Sequence, residues 1–93
     1  MKTASARHIL VDDEPTCVVL KQWLEDGSDF GELAKAHSKC PTGPKGGDLG
    51  QFMQGQMVPE FDEVVFSGEL GKILGPVHTQ FGYHLIEITA RSD

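Results

Sequence analysis

The sequence is poor in the residues that would announce a specialised chemistry or compartment. Of 93 residues, two are cysteines, Cys17 and Cys40, and tryptophan and tyrosine occur once each. Two cysteines are too few for a disulfide scaffold, and their spacing matches no zinc pattern. Reduced thiols in a cytoplasmic setting are therefore expected. Cations are scarce too: 8 Lys and Arg stand against 14 Asp and Glu, for a formal net charge of −6. They are scattered singly and form no basic stripe, which argues against nucleic-acid binding. No apolar run approaches the ~20 residues that cross a bilayer. Met1 to Ala6 lacks the apolar stretch of a signal peptide. No P-loop, dinucleotide fingerprint or G-x-S-x-G elbow occurs, so no nucleotide cofactor is expected.

What remains is an ordinary globular composition, 39% hydrophobic and 24% charged. The length suits one domain, residues 1–93, with a modest stability margin. A monomer is the expectation, since no apolar stripe is left to spare. Glycine, by contrast, is plentiful. "GGDLGQFMQGQMVPEF", residues 46–61, sets large apolar side chains on a glycine-rich frame.

"ARHILV", residues 6–11, reads as a strand. His8 and Leu10 share one face and Ile9 and Val11 the other. "DDEPT" turns the chain into a helix, with Asp13 or Glu14 near the cap and Pro15 in the first turn. Val19, Leu20, Trp23 and Leu24 recur at helical spacing up to Gly27. Asp29 with Glu32 resembles a capping box. The helix it opens carries Phe30, Leu33, Ala34 and His37 on one face, which makes His37 a core or interface residue. "CPTGPKGG", residues 40–47, has two prolines and three glycines and cannot be regular helix or strand. "DLGQFM" is a short strand. Pro59 opens a further helix on which Phe61, Val64 and Val65 share a face. Residues 76–79 and 83–89 form two final strands around "TQFGY". The order is α+β, with an antiparallel C-terminal hairpin packed by helices.

Two histidines stand in apolar strands, His8 in the first and His84 in the last. Two readings are open: separate core histidines, or a pair whose rings fix each other's tautomers if the strands are neighbours. Cys40, in the glycine-rich loop, is a nucleophile, a hydrogen-bond partner or an ordinary thiol. Cys17, in a helix, is assigned to packing. A His–Cys–His metal site is conceivable from residue types, but no zinc spacing supports it, and no metal is expected. His78 is read as exposed beside a turn, and "DDE" as the solvated start of a helix.

In this order, "RHILV", "DFGELAKAHSKCP", "GGDLGQFMQGQMVPEFDEVVF" and "GPVHTQFGYHLIEI" resemble the parvulin family of peptidyl-prolyl cis/trans isomerases, in its small bacterial form. The likeness runs over nearly the whole chain. It implies a parvulin (FKBP-like) fold, a four-stranded, mostly antiparallel sheet surrounded by about four helices. It implies that His8 and His84 meet at the floor of a cleft, with Thr79 hydrogen-bonded nearby and Cys40 overhanging. Leu49, Met57 and Phe61 would hold a proline ring, and Phe81 would edge the pocket. The implied activity is non-covalent isomerisation of X–Pro bonds in unfolded or flexible polypeptides, assisting their folding, with no cofactor. Its partners would be proline-containing segments of client proteins. "VDDEPT" stands where the phospho-directed branch of the family carries a basic cluster, so no phospho-Ser/Thr preference is expected. The rival reading is a non-catalytic peptide-binding or chaperone module using the same cleft.

Overall fold

The computed structural model describes residues 2–92; Met1 and Asp93, the ends of the expected 1–93 domain, lie outside the described residues. The chain runs β1 (Thr3–Val11), α1 (Glu14–Glu25), α2 (Phe30–His37), β2 (Asp48–Met53), α3 (Pro59–Ser67), β3 (Ile73–Thr79) and β4 (Gly82–Ser92), with one 3₁₀ turn at Gly43–Lys45. The four strands form one antiparallel sheet in the order β2–β1–β4–β3. Three α-helices and the 3₁₀ turn stand where about four helices were expected.

Local chemistry explains the helix starts. Asp13 caps α1, its carboxylate accepting from the Thr16 amide at 2.9 Å, and Pro15 sits in the first turn where no N–H is lost. Asp29 caps α2 in the same way, accepting from the Glu32 amide at 2.9 Å. Pro59 opens α3 without a side-chain cap. At its other end, Arg91 Nη1 donates to the carbonyls of Val65 and Gly68 at 2.9 and 2.7 Å, which satisfies acceptors the helix leaves free.

The sheet is buried on both sides. Ile9, Val11 and Leu85 pack with Cys17, Leu20, Leu24, Phe30 and Ala34 beneath α1 and α2. Ala4, Ala6, Ile86 and Ile88 pack with Phe52, Phe61 and Val65 on the α3 side. The alternation read in "HILV" therefore holds, and so does the packing role of Cys17.

Three expectations are corrected. The buried stripe of α1 is Cys17, Leu20 and Leu24, while Val19 and Trp23 are 46% and 44% exposed. Apolar residues cover more than half of this helix, so their spacing leaves its rotation open. His37 is exposed rather than core, because α2 ends there and the chain turns back to β1. The strands are also longer than their apolar patterns. β1 starts at Thr3 and β4 runs to Ser92 because Thr3 pairs with both Met53 and Ser92, and β3 starts at Ile73, opposite Glu87.

Candidate active site

His8 lies opposite Ile86 and His84 opposite Leu10 on the paired central strands β1 and β4. The two histidines are thus diagonal neighbours on one face, within side-chain reach. Their Nδ1 atoms are 3.0 Å apart, and the rings lie 16° from coplanar. This edge-to-edge geometry selects the paired reading over two separate core histidines. On the other edge of the His84 ring, Nε2 is 2.7 Å from Thr79 Oγ1, which also accepts from the Phe81 amide at 3.1 Å.

Counting protons sets the tautomers. If the Thr79 hydroxyl donates to His84 Nε2, then His84 Nδ1–H donates to His8 Nδ1, and His8 carries its proton on Nε2. One buried polar atom is then without a partner, His8 Nε2. The reverse direction would strand the Thr79 hydroxyl proton as well, so the first arrangement costs less. Burial and the neighbouring His84 ring hold His8 far below the usual histidine range, at about 4. Burial lowers His84 too. Both rings are neutral at pH 7, which the single-file proton arrangement requires.

Phe61, from α3, meets both rings edge-on, with centroids 5.5 Å away in each case. It supports the pair and forms one wall of a cleft of about 550 Å³. Leu49, Met57, Cys40 and Pro41 line it too, and Phe81, 58% exposed, does so at the surface. Of the residues picked out from the sequence, His8, His84, Cys40, Leu49, Met57, Phe61 and Phe81 all line the cleft. Thr79 is buried behind His84 and acts through it.

Leu10, Lys39, Gln56 and Val58 also line the cleft and were not singled out in the sequence. Leu10 could have been found, since it shares a strand face with His8. Gln56 does structural work: its Oε1 accepts from the Met53 amide at 2.5 Å. The Gly55 amide donates to Asp62 at 2.7 Å, so both ends of the turn that presents Met57 are tied.

The glycine-rich loop is fixed as firmly. Gly47 has φ of +84°, and a Cβ there would run into the His8 carbonyl oxygen. The His8 amide donates to the Gly47 carbonyl at 3.0 Å. Only glycine lets the loop approach the backbone of a cleft histidine so closely. Further along, Cys40 Sγ accepts from the Thr42 hydroxyl at 3.2 Å. Among the described residues no histidine nitrogen bonds to it. No three His, Cys, Asp or Glu side chains among the described residues converge into a group that could hold a metal ion.

Comparison with known proteins agrees with this geometry. The family model for the PPIC-type PPIase domain matches residues 1–92. The foldase protein PrsA of Caldanaerobacter subterraneus subsp. tengcongensis is 54% identical over 83 residues, 88% of this chain. The chain spans 27% to 32% of the length of the curated relatives it matches. The crystal structure of the peptidylprolyl isomerase PrsA from Bacillus anthracis superposes with a TM-score of 0.95 at 41% identity, covering 99% of this chain and 43% of that one. The solution structure of NmPin, the parvulin of Nitrosopumilus maritimus, superposes with a TM-score of 0.86 at 32% identity, covering 97% and 98% of the two chains. Fold, paired histidines and apolar cleft thus coincide with a match over nearly the whole chain, which belongs to the PPIC-type, or parvulin, family of peptidyl-prolyl cis/trans isomerase domains.

Proposed function

We propose that the domain isomerises X–Pro bonds of unfolded or flexible client polypeptides without forming a covalent bond to them. The observation that carries this reading is a neutral, hydrogen-bonded His8–His84–Thr79 floor beneath an apolar cleft with room for a proline and its neighbours. Rotation about an X–Pro amide faces a barrier of about 20 kcal/mol, set by amide resonance. A 10⁴- to 10⁵-fold acceleration requires lowering it by roughly 5 to 7 kcal/mol. Twisting the amide withdraws charge from the carbonyl oxygen, so a water-poor wall favours the twisted form over the more dipolar planar one. Leu49, Met57 and Phe61 hold the ring while the preceding carbonyl turns. Neutral histidines bonded to each other through Nδ1 keep the floor rigid without placing a charge beneath the rotating bond.

Cys40 tunes the field near that carbonyl. A nucleophilic role would need a base to take the thiol proton. The Thr42 hydroxyl donates to the sulfur rather than accepting from it, and the histidine pair is turned on itself. Asp12 and Asp13 border a recess that shares Lys39 with the cleft, and their charge disfavours a phosphate there. A reducing, cytoplasmic setting belongs to the same proposal, on the strength of two unpaired cysteines, and so does a monomeric domain.

Exchange spectroscopy on an Ala-Leu-Pro peptide tests the reading. Catalytic amounts of protein should enhance cis/trans exchange, and a phosphorylated Ser-Pro peptide should turn over no faster than its unphosphorylated form. Binding without exchange enhancement would assign the cleft to peptide capture instead.

A further inference from the structure

The cleft does not end at Cys40. Lys39 also lines a recess of about 280 Å³ beside Val11, Asp12 and Asp13. That recess shares Thr16 and His37 with a third hollow, of about 260 Å³, lined by Pro15, Val19, Leu20 and Trp23. We propose that these adjoining hollows together seat the client chain whose proline occupies the cleft, and that Pro15, Val19 and Trp23 form a second subsite for one large apolar side chain of that client. The inference rests on the isomerase reading and adds to it a sequence preference remote from the proline.

Four observations support it. First, α1 turns Cys17, Leu20 and Leu24 inward, so the core does not use Val19 and Trp23, yet both are large, apolar and half exposed. Second, the hollow is firm. Leu20 is fully buried beneath it, and the His37 ring stands 6.1 Å from the Trp23 ring. Third, the wall beside Lys39 is preformed. The Lys39 amide donates to the Leu10 carbonyl at 2.7 Å, and the Leu10 amide donates to Ser38 Oγ at 3.1 Å, so residues 38–39 are laced to β1. Fourth, the middle hollow is polar, with Asp12, Asp13 and Lys39, between two apolar ends. That alternation suits an extended chain with separated anchors. A folded partner would need roughly 800 Å² of its own surface buried, far more than one small hollow offers.

The spacing follows from the geometry. His37 lies two residues from Lys39, and its ring is 6.1 Å from that of Trp23. Roughly four extended residues at ~3.3 Å each cover the stretch from Lys39 to Trp23, and the proline lies on the cleft side of Lys39. The preferred client would carry a Phe or Leu about four or five residues from its proline.

Trp23 is the sole tryptophan, so its emission reports on the hollow directly. The probes are an Ala-Leu-Pro tetrapeptide and longer peptides without Trp or Tyr, bearing Phe or Ser four or five residues before or after the proline. On one side of the proline, the Phe peptide should shift Trp23 emission and raise kcat/KM about fivefold over its Ser counterpart, as partial burial of one ring would do. Trp23→Ser should remove that gain while leaving tetrapeptide turnover unchanged. Val19→Ser should reduce the gain, and it serves as the test if Trp23→Ser fails to fold. No Phe advantage on either side, or an advantage that survives both substitutions, overturns the proposal. Failure of the isomerase reading is distinct: the tetrapeptide itself would then show no exchange enhancement.

Discussion

At the residue scale, the protonation of the histidine pair ties stability to pH. His8 is held at about 4 in the folded protein, against an ordinary 6.5. The unfolded chain therefore takes up this proton first as pH falls. The stabilisation of the neutral form is complete above about 6.5 and is lost progressively down to about 4, where the loss has reached on the order of 3 kcal/mol. Burial lowers His84 as well, and Asp13, which accepts from the Thr16 amide, is lowered and also loses stabilisation on acidification, so the parent slope mixes all three. Comparing urea midpoints of the parent and His8→Asn at pH 7 and pH 4.5 separates them. The variant should start lower and fall less, and parallel declines would contradict a neutral buried pair. Cys40 supplies a second residue-level prediction. Cys40→Asp cannot act as a thiol nucleophile but keeps a polar group at the cleft wall. It should retain at least about a tenth of kcat/KM, a rise of no more than ~1.4 kcal/mol in the barrier. Complete inactivity in a folded Cys40→Asp protein would revive covalent attack.

At the element scale, the loop between α2 and β2 owes its shape to glycines, and Gly47 at its end makes a controlled pair with Gly50 in β2. Gly47 and Gly50 both have positive φ, +84° and +70°. A Cβ at Gly50 would meet nothing within 4 Å, whereas one at Gly47 meets the His8 carbonyl. Gly50→Ala should cost only the left-handed backbone term, about 1 kcal/mol. Gly47→Ala should cost at least about 2 kcal/mol more, because β1 or the loop must move. It should also lower kcat/KM by displacing His8. Equal losses of stability in thermal melts would show that the close approach matters little. Nothing in "GGDLG", residues 46–50, distinguishes these glycines, since the neighbour of Gly47 lies on a strand nearly 40 residues earlier. The legible elements were those with local causes: the Asp13 and Asp29 caps, Pro59 at the start of α3, and the alternation of β1 around His8. The rotation of α1, the pairing of Thr3 with Ser92 and the bond from Arg91 to α3 arise from contacts distant in sequence and leave no local pattern. The cleft itself was legible mainly through likeness to known sequences. Residue chemistry alone raised a histidine pair but did not establish it, and the place of Thr79 beside His84 came wholly from that likeness.

At the scale of the whole molecule, the cleft and the core are one structure. His8 and His84 are 76 residues apart in sequence, and they meet only because β1 and β4 are the two inner strands of the sheet. Both faces of that pair are covered, one by α1 and α2 and the other by α3 with Phe52 from β2. Peeling away either layer would expose Ile9 and Leu85 or Ile86 and Ile88 to water. The radius of gyration, 12.0 Å, is near the ~12 Å of a compact chain of this length. The unit therefore carries its own core, although it matches about a third of the length of its curated relatives. It should unfold as a single cooperative body. Because its central pairing is so non-local, folding in milliseconds to seconds is expected rather than microseconds. In a urea titration, isomerase activity, far-UV circular dichroism and Trp23 emission should share one midpoint. Loss of activity well before loss of circular dichroism would mean that residues 38–58, which form one side of the cleft, open independently of the sheet. The His8–Gly47 and Leu10–Lys39 backbone bonds argue against that outcome, since each fastens this segment to the most buried strand pair.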